Sequence, residues 1–366
     1  MPKPERSALF AKIYGCLLGG AIGDAMGGPV EGWNYQQIQE RYGHLDRLLP
    51  YEKEPAEHNH WAKQAGAYTD DTRLKHVLCQ CILERGDVPE RGDFVKALAD
   101  YYYSHDKPIE RGFIEEYFLK SLYGARKLIY GGHPTNGAIM MNSPLGLIHA
   151  CRPRQAFATA FELAFITDGY AKESAAIAAA AVATAMRPDA TVDSIIDEAL
   201  EAAAWHRREG PLWPVQLEKF PWARFEGRPN QMLISFALEA ARKHRDVFAI
   251  REELYQKLQV SPVGSEAGQT LAVALAMFVA AQGDFRQTII GAVNYGRDND
   301  SYATVAGAIA GAYSSVAAIP NDWIQTVRAA NPEPDMRQLA VKLTELVARN
   351  HALEQRNVTD LERLLQ

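Results

Sequence analysis

The sequence predicts an all-α fold. Apolar residues recur at helical spacing along most of the chain, strand signals are few, and two alanine- and glycine-rich stretches have the composition of buried helices. No repeated unit or low-complexity tract divides the 366 residues, so residues 1–366 read as a single domain.

The first helix is predicted over Ala8 to Gly27. Gly15, Gly19, Gly23 and Gly27 stand four apart and form one ridge along it. Each glycine costs a helix roughly 1 kcal/mol against alanine. Four on one face imply that a neighbouring helix, or a ligand, approaches closely there. Asp24 ends this helix, and a Gly27-Gly28-Pro29 turn carries the chain to Glu31. Leu74, Val77, Leu78, Cys81 and Ile82 mark the next helix. Thr69 or Asp70 suits its start and Gly86 its end. Further helices are predicted over 93–104, 113–128, 154–186, 191–208, 230–245, 266–282, 285–294, 302–318 and 335–349. Gly307 and Gly311 repeat the glycine device in the helix from Tyr302. Two regions break the pattern: 43–68, with His44, His58, His60 and Trp61, and 205–230, with Trp205, Trp213 and Trp222 among four prolines. Long irregular segments often line functional pockets, although the second also fits a satellite hydrophobic cluster or a subunit contact.

Composition excludes several classes. The chain is 47% hydrophobic with a formal charge of −6 and no long basic run, which argues against a nucleic-acid partner. The start lacks the cationic-then-apolar layout of a signal peptide. The longest uncharged stretch, Tyr302 to Asn321, is too weakly apolar for a membrane span. Cys16, Cys79, Cys81 and Cys151 show neither zinc spacing nor a disulfide framework. A cytoplasmic protein without a membrane partner is expected, and its oligomeric state is left open.

The chemistry concentrates in short motifs. Thr69-Asp70-Asp71-Thr72 and Gly296-Arg297-Asp298-Asn299-Asp300-Ser301 lie about 230 residues apart, and each packs two carboxylates beside a hydroxyl at a helix start. Read singly, each also fits a solvated helix cap. The helix after Asp300 has a buried composition, so its start is expected to be buried too, and Arg297 is the only cation nearby in sequence. Buried carboxylates need a partner. Carboxylate and hydroxyl oxygens suit a hard cation such as Mg²⁺ or Mn²⁺, and two such clusters brought together would make a two-metal site. Glu31, on its turn, can reach a cleft as a general acid or base, or can be a plain surface residue. Gly131 to Gly137 allows backbone amides to approach a ligand, and a plain turn is equally consistent.

Together these pieces resemble the ADP-ribosylglycohydrolase family. Gly19-Gly20-Ala21-Ile22-Gly23-Asp24-Ala25, Thr69-Asp70-Asp71-Thr72, Asn136-Gly137-Ala138-Ile139-Met140 and Gly296 to Ser301 stand in the family's order and spacing, over about residues 8 to 318. The resemblance implies a single-domain orthogonal helix bundle with a binuclear Mg²⁺ or Mn²⁺ centre in a cleft. It implies metal ligation by Thr69, Asp70, Asp71, Asp298, Asp300 and Ser301, and hydrolysis of the C1 bond of a ribosyl or ADP-ribosyl group on a small molecule or a protein. Glu31, Asp70 and Asp298 are the carboxylates expected to handle protons and stabilise an oxocarbenium-like transition state. Asp24, Asn136, Gly137, Met140 and Met141 are expected at the substrate, with Trp61 as an aromatic that can stack on adenine.

The substrate loop departs from the family pattern. Met141 stands where arginine is usual, Thr167 is followed by Asp168 where many relatives have histidine, and Arg297 and Asn299 replace glycine and threonine. A small ribosyl N-glycoside or nucleoside-like metabolite is therefore an alternative substrate, and a non-catalytic ADP-ribose-binding protein an alternative role. An all-α enzyme of diphosphate esters also uses aspartate clusters, but the residues after Asp300 lack the further ligands it needs.

Overall fold

The computed structural model describes residues 4–51, 64–105, 114–121, 135–167, 169–209, 229–258 and 264–365. All regular structure among them is helical, with two isolated bridges, Asn34 with Gly296 and Thr135 with Glu266. The chain order is α1 (Ala8–Gly27), α2 (Tyr35–Tyr42), α3 (Asp70–Arg85), α4 (Arg91–Ser104), α5 (114–121), α6 (Gly137–Met141), α7 (Ser143–Ile148), α8 (Pro153–Leu163) and α9 (Ala171–Ala185). There follow α10 (Val192–Glu209), α11 (Pro229–His244), α12 (Arg251–Lys257), α13 (Ala267–Ala280), α14 (Phe285–Tyr295), α15 (Asn299–Ser314), α16 (Asn321–Ala330) and α17 (Met336–Leu364).

The centre is a pair of helices buried on every side. In α1 every residue from Ile13 to Gly27 is buried, and in α15 every residue from Asn299 to Ala312. Their glycine ridges face each other. A Cβ on Gly15 would lie 2.4 Å from the Gly311 carbonyl oxygen, one on Gly19 2.2 Å from that of Gly307, and one on Gly23 2.1 Å from that of Ala303. No side chain fits in this seam, so the helices meet backbone to backbone. The seam runs to the C-terminal end of α1, where a Cβ on Gly27 would lie 2.5 Å from the Asp300 backbone nitrogen. Helix packing thereby delivers the segment after Asp24 to the start of α15. Helices α9 and α13 are also almost wholly buried and flank the pair. Helix α1, with the turn to Val30, is the one described helix long and apolar enough to cross a membrane, and 83% of that window is buried within the protein.

The predicted elements differ from the observed ones in ways that have physical causes. The helix expected over 154–186 is two, α8 and α9, because Gly169 takes a left-handed φ of 59° and turns the chain between them. The stretch expected over 302–318 begins three residues earlier and ends at Ser314, with a short 3-10 turn at Val316–Ala318. Helix α17 continues fifteen residues past 349, and this part is largely exposed, so burial gives no periodic signal for it. Most of the loop or turn read at Gly131 to Gly137 lies outside the described residues; Gly137 opens α6, and α6 and α7 are buried. Helices α2, α12 and α16 had no long apolar period and went unpredicted.

Candidate active site

Both acidic motifs sit at helix starts and meet at one point. Thr69 is the N-cap of α3. Its extended backbone turns Asp70 and Asp71 into the first turn, and its hydroxyl accepts from the Asp71 N–H at 3.4 Å. The turn is held from outside by Asp24. One Asp24 oxygen accepts from the Thr69 N–H at 2.8 Å and the other from the Thr72 N–H at 3.0 Å. Asp24 has no exposed surface. It clamps α1 to the Thr-Asp-Asp turn. It also lies within α1 rather than at its end, since the helix runs on to Gly27.

Asp298 is the N-cap residue of α15, with Asp300 in the first turn. The Thr69 hydroxyl lies 3.4 Å from Asp300 Oδ2 and 3.5 Å from Asp71 Oδ2, so it stands between the two motifs. Asp300 Oδ1 accepts from the Ser301 N–H at 2.9 Å. Glu31 is brought in by backbone pairing: the Gly32 N–H donates to the Arg297 carbonyl at 2.6 Å and the Arg297 N–H to the Trp33 carbonyl at 2.5 Å. The pairing requires Gly296. Its φ is +82°, and a Cβ there would lie 2.4 Å from the Trp33 carbonyl oxygen. Oxygens of Glu31, Asp298 and Asp300 consequently lie within 4.8 Å of one another.

Several partners fix the carboxylates. Asn136 Nδ2 donates to Asp298 Oδ2 at 2.6 Å, and its own backbone N–H donates to the Ser265 carbonyl at 2.9 Å. Tyr117, on α5, donates its hydroxyl to Asp70 Oδ2 at 2.9 Å. Tyr117 carried no sequence signal, being a lone tyrosine 47 residues from its partner. Tyr51 was missed for the same reason. Its hydroxyl is buried without a hydrogen-bond partner, and a Cβ on Gly28 would lie 2.1 Å from it. Met140 approaches Ser301, with Sδ 3.9 Å from Oγ. Gly137 is buried beside Tyr117. Met141 has no exposed surface and packs in the hydrophobic core, so its side chain is a core side chain rather than a cleft wall. Trp61, His58, His60 and Asp168 lie outside the described residues, as do the side chains of Trp213 and Trp222.

The electrostatics follow from crowding. Burial is the first cause that raises the carboxyl pKa of Asp24, Asp70, Asp71, Asp298 and Asp300, and neighbouring carboxylates add to it for Asp70, Asp71 and Asp300. Asp70 is lifted to about 6 even though the Tyr117 hydroxyl pulls it down. Glu31 is exposed by surface area, yet enough protein surrounds its carboxyl that burial, then Asp298, Asp70 and Asp24, push it up to about 8. Arg297, the cation nearest in sequence, stacks on the Tyr255 ring at 4.4 Å. Six acids share a small volume, Asp71 Oδ1 is buried with no partner, and all the convergent donors are oxygens. That donor set fits hard divalent cations and no soft metal.

The sequence model of the ADP-ribosylglycohydrolase family matches residues 5–353. The chain belongs to this family. Among its relatives, the uncharacterised protein YegU of Escherichia coli K12 is 28% identical over 325 residues, covering 84% of this chain and 89% of the relative. An uncharacterised protein of Archaeoglobus fulgidus is 27% identical over 341 residues, 92% of this chain and 96% of its own. ADP-ribosylhydrolase ARH3 of Homo sapiens is 24% identical over 340 residues, 87% and 89% of the two chains. A solved structure described as an ADP-ribosylglycohydrolase-related protein complex superposes with a TM-score of 0.63 at 22% identity, covering 93% of this chain and 99% of that one. It supports the fold.

Proposed function

We propose that this chain is a divalent-metal-dependent hydrolase that cleaves the C1 glycosidic bond of an ADP-ribosyl or related ribosyl substrate. The observation that carries this reading is the convergence of Glu31, Asp298 and Asp300 oxygens within 4.8 Å beside the Thr69 hydroxyl. Thr69, Asp70, Asp71, Asp298, Asp300 and Ser301 are the residues that would hold two Mg²⁺ or Mn²⁺ ions. Bound there, the ions would neutralise the acids, activate water and orient ribose hydroxyls.

The protein's own groups have distinct tasks in this reading. Glu31 is the acid nearest solvent, and its raised carboxyl keeps a proton near neutral pH that it can hand to a leaving-group oxygen or nitrogen. The carboxylates of Asp70 and Asp298 oppose the positive charge that develops at C1 in an oxocarbenium-like transition state. Tyr117 and Asn136 hold those two carboxylates in one orientation through their 2.9 Å and 2.6 Å hydrogen bonds. Asp24 keeps the Thr69–Thr72 turn in register from behind.

A second reading concerns the substrate. Met141 brings no charge to the cleft, which favours a smaller ribosyl N-glycoside or a free ADP-ribosyl metabolite over a protein-linked group. The deciding experiment is turnover of O- and N-linked ADP-ribosyl and ribosyl glycosides, with and without Mg²⁺ or Mn²⁺. Hydrolysis that needs the ion and disappears in Asp300→Asn supports the proposal. ADP-ribose binding with no hydrolysis of any glycoside would make the chain a binding protein on this scaffold.

A further inference from the structure

Beneath the acids lies a lysine that the site has not yet used. Lys75 is buried to 1% exposure, and its Nζ has no hydrogen-bond partner. It stands one helical turn after Asp71 on α3 and so shares its face. It points at Gly20, one turn before Asp24 on α1. A Cβ on Gly20 would lie 2.6 Å from Nζ, so the missing side chain is what admits the ammonium. The two helices run in opposite directions here: Asp24 meets the start of α3 at Thr69 and Thr72, and Gly20, one turn earlier on α1, meets Lys75 further along α3. The facing columns read Cys16, Gly20, Asp24 on α1 and Cys79, Lys75, Asp71 on α3. The unpaired Lys75 nitrogen therefore sits one turn below Asp24 and below Asp71, whose Oδ1 is also buried and unpaired.

We propose that Lys75 is a charge-compensating, positioning residue: a fixed internal cation that opposes the Asp24–Asp71 pair when no metal is bound and weakens the site's hold on divalent ions. The affinity part of this proposal rests on the metal-dependent reading above, whereas the compensation part does not. A buried charge is retained only where opposite charge offsets its lost hydration. The mutual influence is consistent with this. Burial raises the pKa of Asp24 and of Asp71 and Lys75 works against it, while burial lowers that of Lys75 and Cys16, then Asp24 and Asp71, raise it. A second positive charge this close to a cation site must reduce its affinity.

Two measurements test it. In chelator-treated full-length protein at low salt, denaturant unfolding is compared for wild type, Lys75→Met, Asp71→Asn and the double variant. Lys75→Met is expected to destabilise, and the loss is expected to shrink when Asp71 is already neutral. Equal losses in both backgrounds would mean that Lys75 only fills space, and the proposal falls. Calorimetric titration with MnCl₂ or MgCl₂ then compares wild type with Lys75→Met. The variant is expected to bind about tenfold more tightly, a change of ~1.4 kcal/mol. Unchanged or weaker binding overturns the affinity part. A wild type that binds neither ion overturns the metal reading and that part together, and the unfolding cycle still decides the compensation. If Lys75→Met does not fold, Lys75→Gln keeps length and polarity without charge, and the same outcomes are read on it.

Discussion

The Thr69 hydroxyl lies 3.4 Å from Asp300 Oδ2, joining segments 231 residues apart in the chain. With Asp71 Oδ2 3.5 Å away on the other side, one hydroxyl stands between two buried carboxylates. The cluster is therefore under repulsion unless cations enter it, and removing one carboxylate should have opposite effects with and without metal. Asp300→Asn is expected to abolish ion-dependent turnover by at least about a hundredfold. It should also stabilise the metal-free protein, since burial and then the neighbouring carboxylates Glu31, Asp71, Asp298 and Asp24 disfavour a charge at this position. Thermal unfolding in chelator and in magnesium reads both signs. A variant destabilised in chelator would show that the acids are not repelling one another.

The pH dependence has two limbs. Glu31, lifted to about 8, and Asp70, lifted to about 6, take up protons more readily folded than unfolded. Such groups contribute stability that is fully present below the unfolded carboxyl value and is lost as pH rises through the folded ones. His76 and His149 are displaced the other way, to about 3 and about 4, burial being the main cause. Their contribution is present above the unfolded histidine value of 6.5 and is lost as pH falls through the folded values. Chelated protein should thus melt highest at mildly acidic pH and lose stability both above and below it. Magnesium should remove only the alkaline loss. A melting temperature flat from pH 6 to 8.5 in chelator would contradict the alkaline limb.

Gly23→Ala reverses an ordinary expectation. Alanine is the better helix former by about 1 kcal/mol, but here its Cβ would lie 2.1 Å from the Ala303 carbonyl oxygen. Forcing the seam open should cost about 1–3 kcal/mol, the usual range for overpacking. It should also weaken divalent binding, because the same seam brings Asp300 to the end of α1. Denaturant unfolding and metal titration on one preparation check the pair. Stabilisation by the substitution would mean that the helices are not in backbone contact.

Asn136→Ala removes the 2.6 Å bond to Asp298 without touching a carboxylate. Loss of an orienting partner beside a metal ligand typically costs 10- to 100-fold in affinity or activity, so a fall of about that size is expected in kcat or in ion affinity. Tyr117→Phe should act similarly through Asp70, and should in addition raise the Asp70 pKa, because the hydroxyl bond favours the ionised form. An unchanged pH-rate profile in Tyr117→Phe would remove Tyr117 from the site.

Much of the site was legible because its residues come in local patterns. Thr69 at an N-cap, Asp70 and Asp71 in a first turn, and Asp298 and Asp300 before a buried helix each carry meaning within five residues, and the glycine ridges announced a close helix contact on spacing alone. What was not legible has no local pattern. Tyr117, Tyr51 and Lys75 are single residues whose significance lies in what they face: Asp70, Gly28 and Gly20. Asp24 and Met141 have no exposed surface, and a motif position indicates proximity to a site but not the direction of a side chain.

By itself the sequence determined that this chain is helical, which faces of its helices are buried, and where its acids sit at helix starts, because periodicity, capping and composition act over a few residues. Only the tertiary structure decided that the Gly15–Gly27 ridge meets Gly307 and Gly311, that Asp24 clamps the Thr69–Thr72 turn, and that the buried Lys75 underlies the acids. These depend on which helix lies against which, and that is set by close packing summed over the whole core rather than by any segment within it.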